Sequence, residues 1–290
     1  MANRKNGKIM ERITYSQQKI WPNDYMKYLA PALLIVCGFL SDPSLAETDG
    51  AALAQKIYDR PDGDDAASKA VMILTKKGSK PRQRTLYTYR LDTPDGETLS
   101  LTRFTEPADI SGTGLLSHDR PDDENSQWIY LPALDRARRI SASRKGGRFV
   151  GSDIFYEDMS KRDVSKDRHR MLGEGRVGKT LTTILESTPL DPDNSVYNKR
   201  ISWVHMNTLI PLQVDYYMDG SDKPVKRMKV SKIQKQQGYW TVLDSTVYDM
   251  KSGHQTRVVT RAIKYDQQLP LSLFSRQSLS DTRLADNYNP

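Results

Sequence analysis

The sequence predicts a mainly β fold: a mostly antiparallel, strongly curved sheet with one N-terminal helix and one or two short helices across its concave side. Three observations carry this. Between Ala70 and Tyr265, stretch after stretch alternates apolar and polar residues at the strand period of two. Turn signals, among them Asp95-Gly96, Asp219-Gly220 and Ser252-Gly253, separate these stretches. In the second half they recur every ~10 to 15 residues, the rhythm of an antiparallel meander. Tyrosine (15) far outnumbers phenylalanine (5), as suits strand faces that are apolar but partly wet.

In chain order, Thr48-Asp49 caps a short helix with Leu53 and Ile57 on one face, and Pro61-Asp62-Gly63 ends it. Strands follow at Ala70–Thr75, Arg84–Leu91 and Thr98–Phe104, the last two joined by Asp95-Gly96 as a hairpin. Pro107–Leu116 reads as a bend and a short strand. Ser160–Arg170, densely charged, reads as a solvated helix or loop. Strands resume at Thr180–Glu186, Val196–Met206, Pro211–Met218, Val225–Ile233, Trp240–Tyr248 and Thr256–Tyr265. Residues 47–290 are expected to form one domain, with its core at about 69–268 and a loose polar tail at 281–290.

The apolar run Leu29–Leu40 is too short for a bilayer span, which needs ~20 residues. Ser44 and Ala46 stand at the small −3 and −1 positions of a signal-peptidase site. Residues 1–46 are therefore expected to be a cleaved secretory leader. Its long polar start shortens to ordinary size if translation begins at Met26 rather than Met1. The single cysteine, Cys37, lies inside the apolar run and lacks the small preceding pair of a lipidation site. Cleavage leaves a chain without thiolate or disulfide chemistry. The formal charge is +8, with both signs interspersed. Such a bias suits anionic headgroups or simply a solvated surface, and it does not suggest nucleic-acid binding.

The densest information lies in Trp128–Met159. It opens as a strand, Trp128 to Leu131, which Pro132 interrupts. Arg136, Arg138 and Arg139 follow on an expected strand, with Arg136 and Arg138 on one face and Arg139 on the other. Their guanidiniums suit phosphate headgroups or an acidic partner; they also suit solvent, or pairing with Asp153, Glu157 and Asp158. Gly146-Gly147 turns the chain toward Gly151-Ser152-Asp153-Ile154-Phe155-Tyr156-Glu157-Asp158.

This YLPAL-x-R-x-RRIS stretch with its later G-S-D and Y-E-D resembles the outer membrane lipoprotein-sorting proteins. These are LolA-like periplasmic proteins often encoded beside RND/MMPL-type inner-membrane transporters. The resemblance covers roughly Lys69 to Gln268. It implies a LolA/LolB-like unclosed β-barrel whose helices cover an apolar cavity. It also implies a non-enzymatic carrier in the periplasm of a Gram-negative bacterium, with lipid or lipoprotein acyl chains as cargo and an envelope transporter as partner. By the same analogy the cavity wall draws on Trp128, Tyr130, Phe155, Trp203, Val214, Tyr216, Met228 and Trp240. Gly151, Ser152, Asp153, Tyr156, Glu157 and Asp158 carry the family motif. An accessory protein of such a transporter, without lipid cargo, is the alternative.

Other motifs weigh less. Gly173–Thr180 (GEGRVGKT) matches the phosphate-binding loop pattern. That loop needs a buried strand before it and a helix after it, whereas Leu181–Leu185 favours a strand, so no nucleotide is expected. The histidines, His118, His169, His205 and His254, show no metal-ligand spacing, and no metal or cofactor is expected. No G-x-S-x-G elbow is present, and the acid pairs at Glu157-Asp158 and Asp122-Asp123-Glu124 read as solvated, so no catalytic residue is assigned.

Overall fold

A computed structural model describes residues 43–121 and 125–290. The expected leader, apart from its last four residues, lies outside the described residues, as do Cys37 and Asp122-Asp123-Glu124. A helix, α1 (Pro43–Tyr58), precedes thirteen strands. The first six are β1 (Asp65–Thr75), β2 (Arg82–Asp92), β3 (Thr98–Glu106), β4 (Gly114–Asp119), β5 (Ser126–Leu131) and β6 (Arg136–Arg139). The other seven are β7 (Asp167–Val177), β8 (Thr180–Pro189), β9 (Lys199–His205), β10 (Ile210–Tyr217), β11 (Lys226–Gln236), β12 (Tyr239–Asp249) and β13 (Gln255–Tyr265). Short 3-10 turns fill the connections. α1 begins at Pro43, before the expected cap at Thr48-Asp49 and on the leader side of the expected cleavage bond.

All thirteen strands form one antiparallel sheet in the order β6-β5-β4-β3-β2-β1-β13-β12-β11-β10-β9-β8-β7. The two halves are joined where β1 meets β13, with Met72 opposite Val258. The free edges, β6 and β7, both come from the middle of the chain. This is an unclosed barrel of the expected kind.

Register assigns the faces. The line Leu185–Ser202–Val214–Met228–Val247 crosses β8 to β12 on one side, the concave one, and continues through Val258 and Met72 near the join. Leu86 and Phe104 share that face in β2 and β3; Tyr89, Leu101, Leu116 and Trp128 take the other. Both faces of the β1–β5 half are covered. Phe149, fully buried, packs on Phe104 with ring centroids 5.4 Å apart on the concave side. On the convex side Leu269, Leu273, Phe274 and Leu279 cover Tyr89, Leu101 and Leu116.

That convex cover corrects two expectations. The core extends past residue 268, and the polar tail is not loose: Ala285 is buried and Tyr288 packs against the same cluster. The polar letters of the tail hide this, because Arg103 reaches out to hold it through the carbonyls of Ser278 and Thr282. A third correction concerns Ser160–Arg170, whose end is the start of β7. There Asp167 and His169 are buried while Arg168 and Arg170 are exposed, an alternation written entirely in polar residues.

α1 lies on the concave face over β7–β9, where Leu53 and Ala54 pack with Leu185 and Val204. Gly50 sets the spacing: a Cβ there would come within 2.6 Å of the His169 carbonyl. The phosphate-loop match falls in a β-hairpin. Val177 pairs with Thr180, leaving Gly178-Lys179 as a two-residue turn with Gly178 at φ +59.

Candidate functional site

Residues 140–166 link edge strand β6 to edge strand β7 by crossing the concave side as a strap. Besides the packing of Phe149 on Phe104, polar bonds fix it in place. Gln127 on β5 donates to the Tyr156 carbonyl at 2.9 Å. The buried guanidinium of Arg84 on β2 donates to the carbonyl of Val150, a β-branched residue held at φ 47, where such side chains are rarely found. Asp153, 1% exposed, accepts from Arg148, from the Thr256 hydroxyl at 2.7 Å and pairs with His254. Glu157 accepts from the Val196 N–H at 2.7 Å and from Ser195. Asp158 accepts from the Tyr197 hydroxyl at 2.8 Å, from the Phe155 N–H at 2.6 Å and from the Lys226 ammonium. The motif Gly151–Asp158 is therefore the fastening of the strap. Its acids bind Thr256 of β13, Lys226 of β11, the β8–β9 loop (Ser195 to Tyr197), Arg148 and His254 rather than Arg136, Arg138 or Arg139.

Lys226 is 4% exposed by side chain. Its ammonium lies 4.0 Å from the ring centre of Phe155, 4.7 Å from Tyr197 and 4.5 Å from Tyr216. Phe155 and Tyr197 are stacked, 6.1 Å apart. Burial lowers the Lys226 pKa, opposed by the charge of Asp158. Burial raises the Tyr197 and Tyr216 hydroxyls, with Asp158 adding to both. Such a box of rings is a cation receptor, and here the chain's own lysine fills it.

Beside this box a cavity of about 510 Å³ opens on the concave face of β10–β13. Its floor is Ile210 and Tyr216 from β10, Met228 and Val230 from β11, Val242, Ser245 and Val247 from β12, and Val258 from β13. Ile57 at the end of α1 and Arg60 just beyond it form one side; Ile154, Asp158 and Met159 of the strap form the other. The wall is aliphatic. Its charged members are the Asp158–Lys226 pair and Arg60, which donates to the Trp240 carbonyl at 2.9 Å.

Of the eight residues expected at the cavity, Tyr216 and Met228 line it. Val214 is buried on the same face next to Met228. Phe155 stands behind the wall in the lysine box. Trp240 lies beyond Val242, with the Lys235 ammonium 5.5 Å from its ring. Trp128 is on the convex face, edge-on to His118 at 5.3 Å. Tyr130 lines a separate groove of about 360 Å³ beside the tail. Trp203 sits where Gly175 leaves room for it. The reading favoured large aromatics, whereas the wall is built mostly of valine, isoleucine and methionine. Arg136, Arg138 and Arg139 are exposed on edge strand β6, opposite Leu131, Ile129 and Trp128. Among the described residues no three His, Cys, Asp or Glu side chains gather as a metal site.

Comparison with known proteins places this geometry. A family model described as an uncharacterized protein matches residues 96–281. A crystal structure of a DUF1329 family protein from Desulfovibrio piger is 32% identical, with a TM-score of 0.77 over 81% of this chain and 99% of the other. The chain belongs to the DUF1329 family. A second structure, from Vibrio parahaemolyticus and described as an outer membrane lipoprotein-sorting protein domain, is 28% identical, with a TM-score of 0.76 over 81% of this chain and 99% of that one. A LolA superfamily protein from Nitrosomonas europaea, 17% identical with a TM-score of 0.62 over 80% and 99% of the two chains, shares the fold. No curated protein matches. The resemblance drawn from Trp128–Met159 to the lipoprotein-sorting group thus holds for this DUF1329 chain in family and fold.

Proposed function

We propose that this chain is a non-enzymatic carrier of aliphatic lipid or lipoprotein acyl chains in the periplasm of a Gram-negative bacterium. The observation that carries the reading is the aliphatic cavity of about 510 Å³ on a curved sheet. A hydrocarbon moved from water into it gains ~0.8 kcal/mol per buried CH₂, and within it the cargo is shielded from water. The name of the Vibrio relative supports the same class of cargo. The leader at residues 1–46, cleavage before Glu47 and a handover to an RND/MMPL-type transporter complete the proposal. Arg136, Arg138 and Arg139, exposed on edge strand β6, are proposed as the surface for headgroups or that partner.

The alternative, an accessory protein without cargo, calls for a concavity plugged by side chains. The strap plugs the β1–β5 half and leaves β10–β13 open, which favours the carrier. Native mass spectrometry of the protein purified from its own envelope without detergent tests the reading. A bound mass in the lipid range is expected, and it is lost in Val230→Asp, which sets a carboxylate in the aliphatic wall. A bare protein that also takes up nothing from lipid vesicles would overturn it.

A further inference from the structure

The shape of the cavity narrows the cargo, an inference that rests on the carrier reading. The two charged places in its wall stand at opposite ends of β12. The Asp158–Lys226 pair lies by Asp249, the register partner of Lys226, while Arg60 holds the carbonyl of Trp240 at the other end. Between them the wall runs from Val242 to Val247. Five steps of a strand cover about 17 Å, so the cavity is long in one direction. Its volume is small for its length. A cavity of roughly 150 Å³ accepts a six-carbon apolar ligand, so about 510 Å³ holds on the order of twenty carbons by the same ratio. One acyl chain fits that figure; two or three do not.

The ends differ in what they offer. The Lys226 ammonium is saturated by Asp158, the Tyr197 hydroxyl and three rings. It leaves no donor for a headgroup, so this end is the blind one. Arg60 borders both the cavity and a polar groove containing Tyr58, Asp92 and Lys161. That end leads to water. We infer that the cavity takes one single-chain aliphatic amphiphile, tail toward Lys226 and polar end at Arg60, and excludes two-chain phospholipid and triacylated lipoprotein. The selection is steric. The strap is fastened to β2, β5, β11 and β13, so it does not yield room for a second chain. Ser245, the one hydroxyl from β12 in the wall, is a small residue at mid-length.

Native mass spectrometry on the purified, delipidated protein tests this with three probes in separate samples: palmitate, dipalmitoyl phosphatidylcholine vesicles and a synthetic triacylated lipopeptide. The expected result is one palmitate per protein and at least about tenfold less of either other lipid at equal concentration. Phospholipid or lipopeptide bound as well as palmitate would overturn the single-chain inference and leave the carrier reading intact. No adduct from any probe would overturn both. Ser245→Phe, which fills the middle of the cavity, is expected to weaken palmitate binding by about tenfold or more with an unchanged melting temperature. Undiminished binding by a folded Ser245→Phe would show that the chain lies elsewhere. The three-probe comparison stands without that variant if it does not fold.

Discussion

The two halves of the sheet are built alike and finished differently. Across β1–β5 the concave face is filled by the chain's own strap, through Phe149, and the convex face by the C-terminal segment. Across β10–β13 the concave face carries equally apolar residues, but the strap only borders them, and the space above stays open. Apolar pattern therefore does not distinguish filled core from open cavity in this molecule. What distinguishes them is whether the connection between the two edge strands lies on top.

The sharpest way to test the contrast is one large truncation on each side. Phe149→Ala removes a fully buried ring from the filled half and is expected to cost about 3–5 kcal/mol. Met228→Ala removes a side chain that already borders empty space and is expected to cost only about 1 kcal/mol. Urea unfolding of both reads the difference; equal losses would mean the cavity half is as tightly filled as the other. Next in size is the fastening beside the cavity. Lys226→Met leaves the half-buried Asp158 without its ammonium and is expected to cost about 3 kcal/mol. Adding Asp158→Asn should return part of that, and strict additivity in a double-mutant cycle would argue that the pair does not act as a unit.

A smaller effect than the loss of Lys226, and one that depends on pH, concerns the place where the strap leaves the filled half. Asp119 on β4 accepts the Lys161 N–H at 2.8 Å, and burial pushes its pKa up to about 6 from 3.8. Between those values the folded chain holds a proton that the unfolded chain has released. Stability from this group is thus present below the lower value and lost as pH rises through the upper one. Asp119→Asn is expected to raise stability at pH 7 by up to about 2 kcal/mol and to bring almost no gain near pH 4. Melting curves at the two pH values measure it; an equal gain at both would remove ionisation as the cause.

Much of the architecture is legible in the sequence, because each hairpin carries its own turn chemistry and its own alternation. β7 is the exception. As an edge strand with polar residues on both faces, it leaves no apolar period to read. The cavity wall is harder. Val242 and Val247 lie five residues apart and would face opposite sides of a regular strand. A register shift, with Lys232 opposite Asp244 but Ile233 opposite Val242, brings both to the cavity. No spacing rule announces that shift. The motif at Gly151–Asp158 stands out in the sequence while its partners do not. Thr256, His254, Lys226 and Tyr197 are scattered over sixty residues of unremarkable strand and loop, and only folding brings them under the strap.

The pairing of β1 with β13 also sets a timetable. Met72 emerges from the ribosome 186 residues before its partner Val258. At roughly 5–20 residues per second that is about ten to forty seconds of waiting. Throughout that interval the apolar run Ala70–Thr75 has β2 on one flank and nothing on the other, and an unpaired strand of this kind invites association with any other exposed edge. The sheet is completed only by its last strand, so a chain shortened before Gln255 loses the join between its halves, however sound each half is by itself.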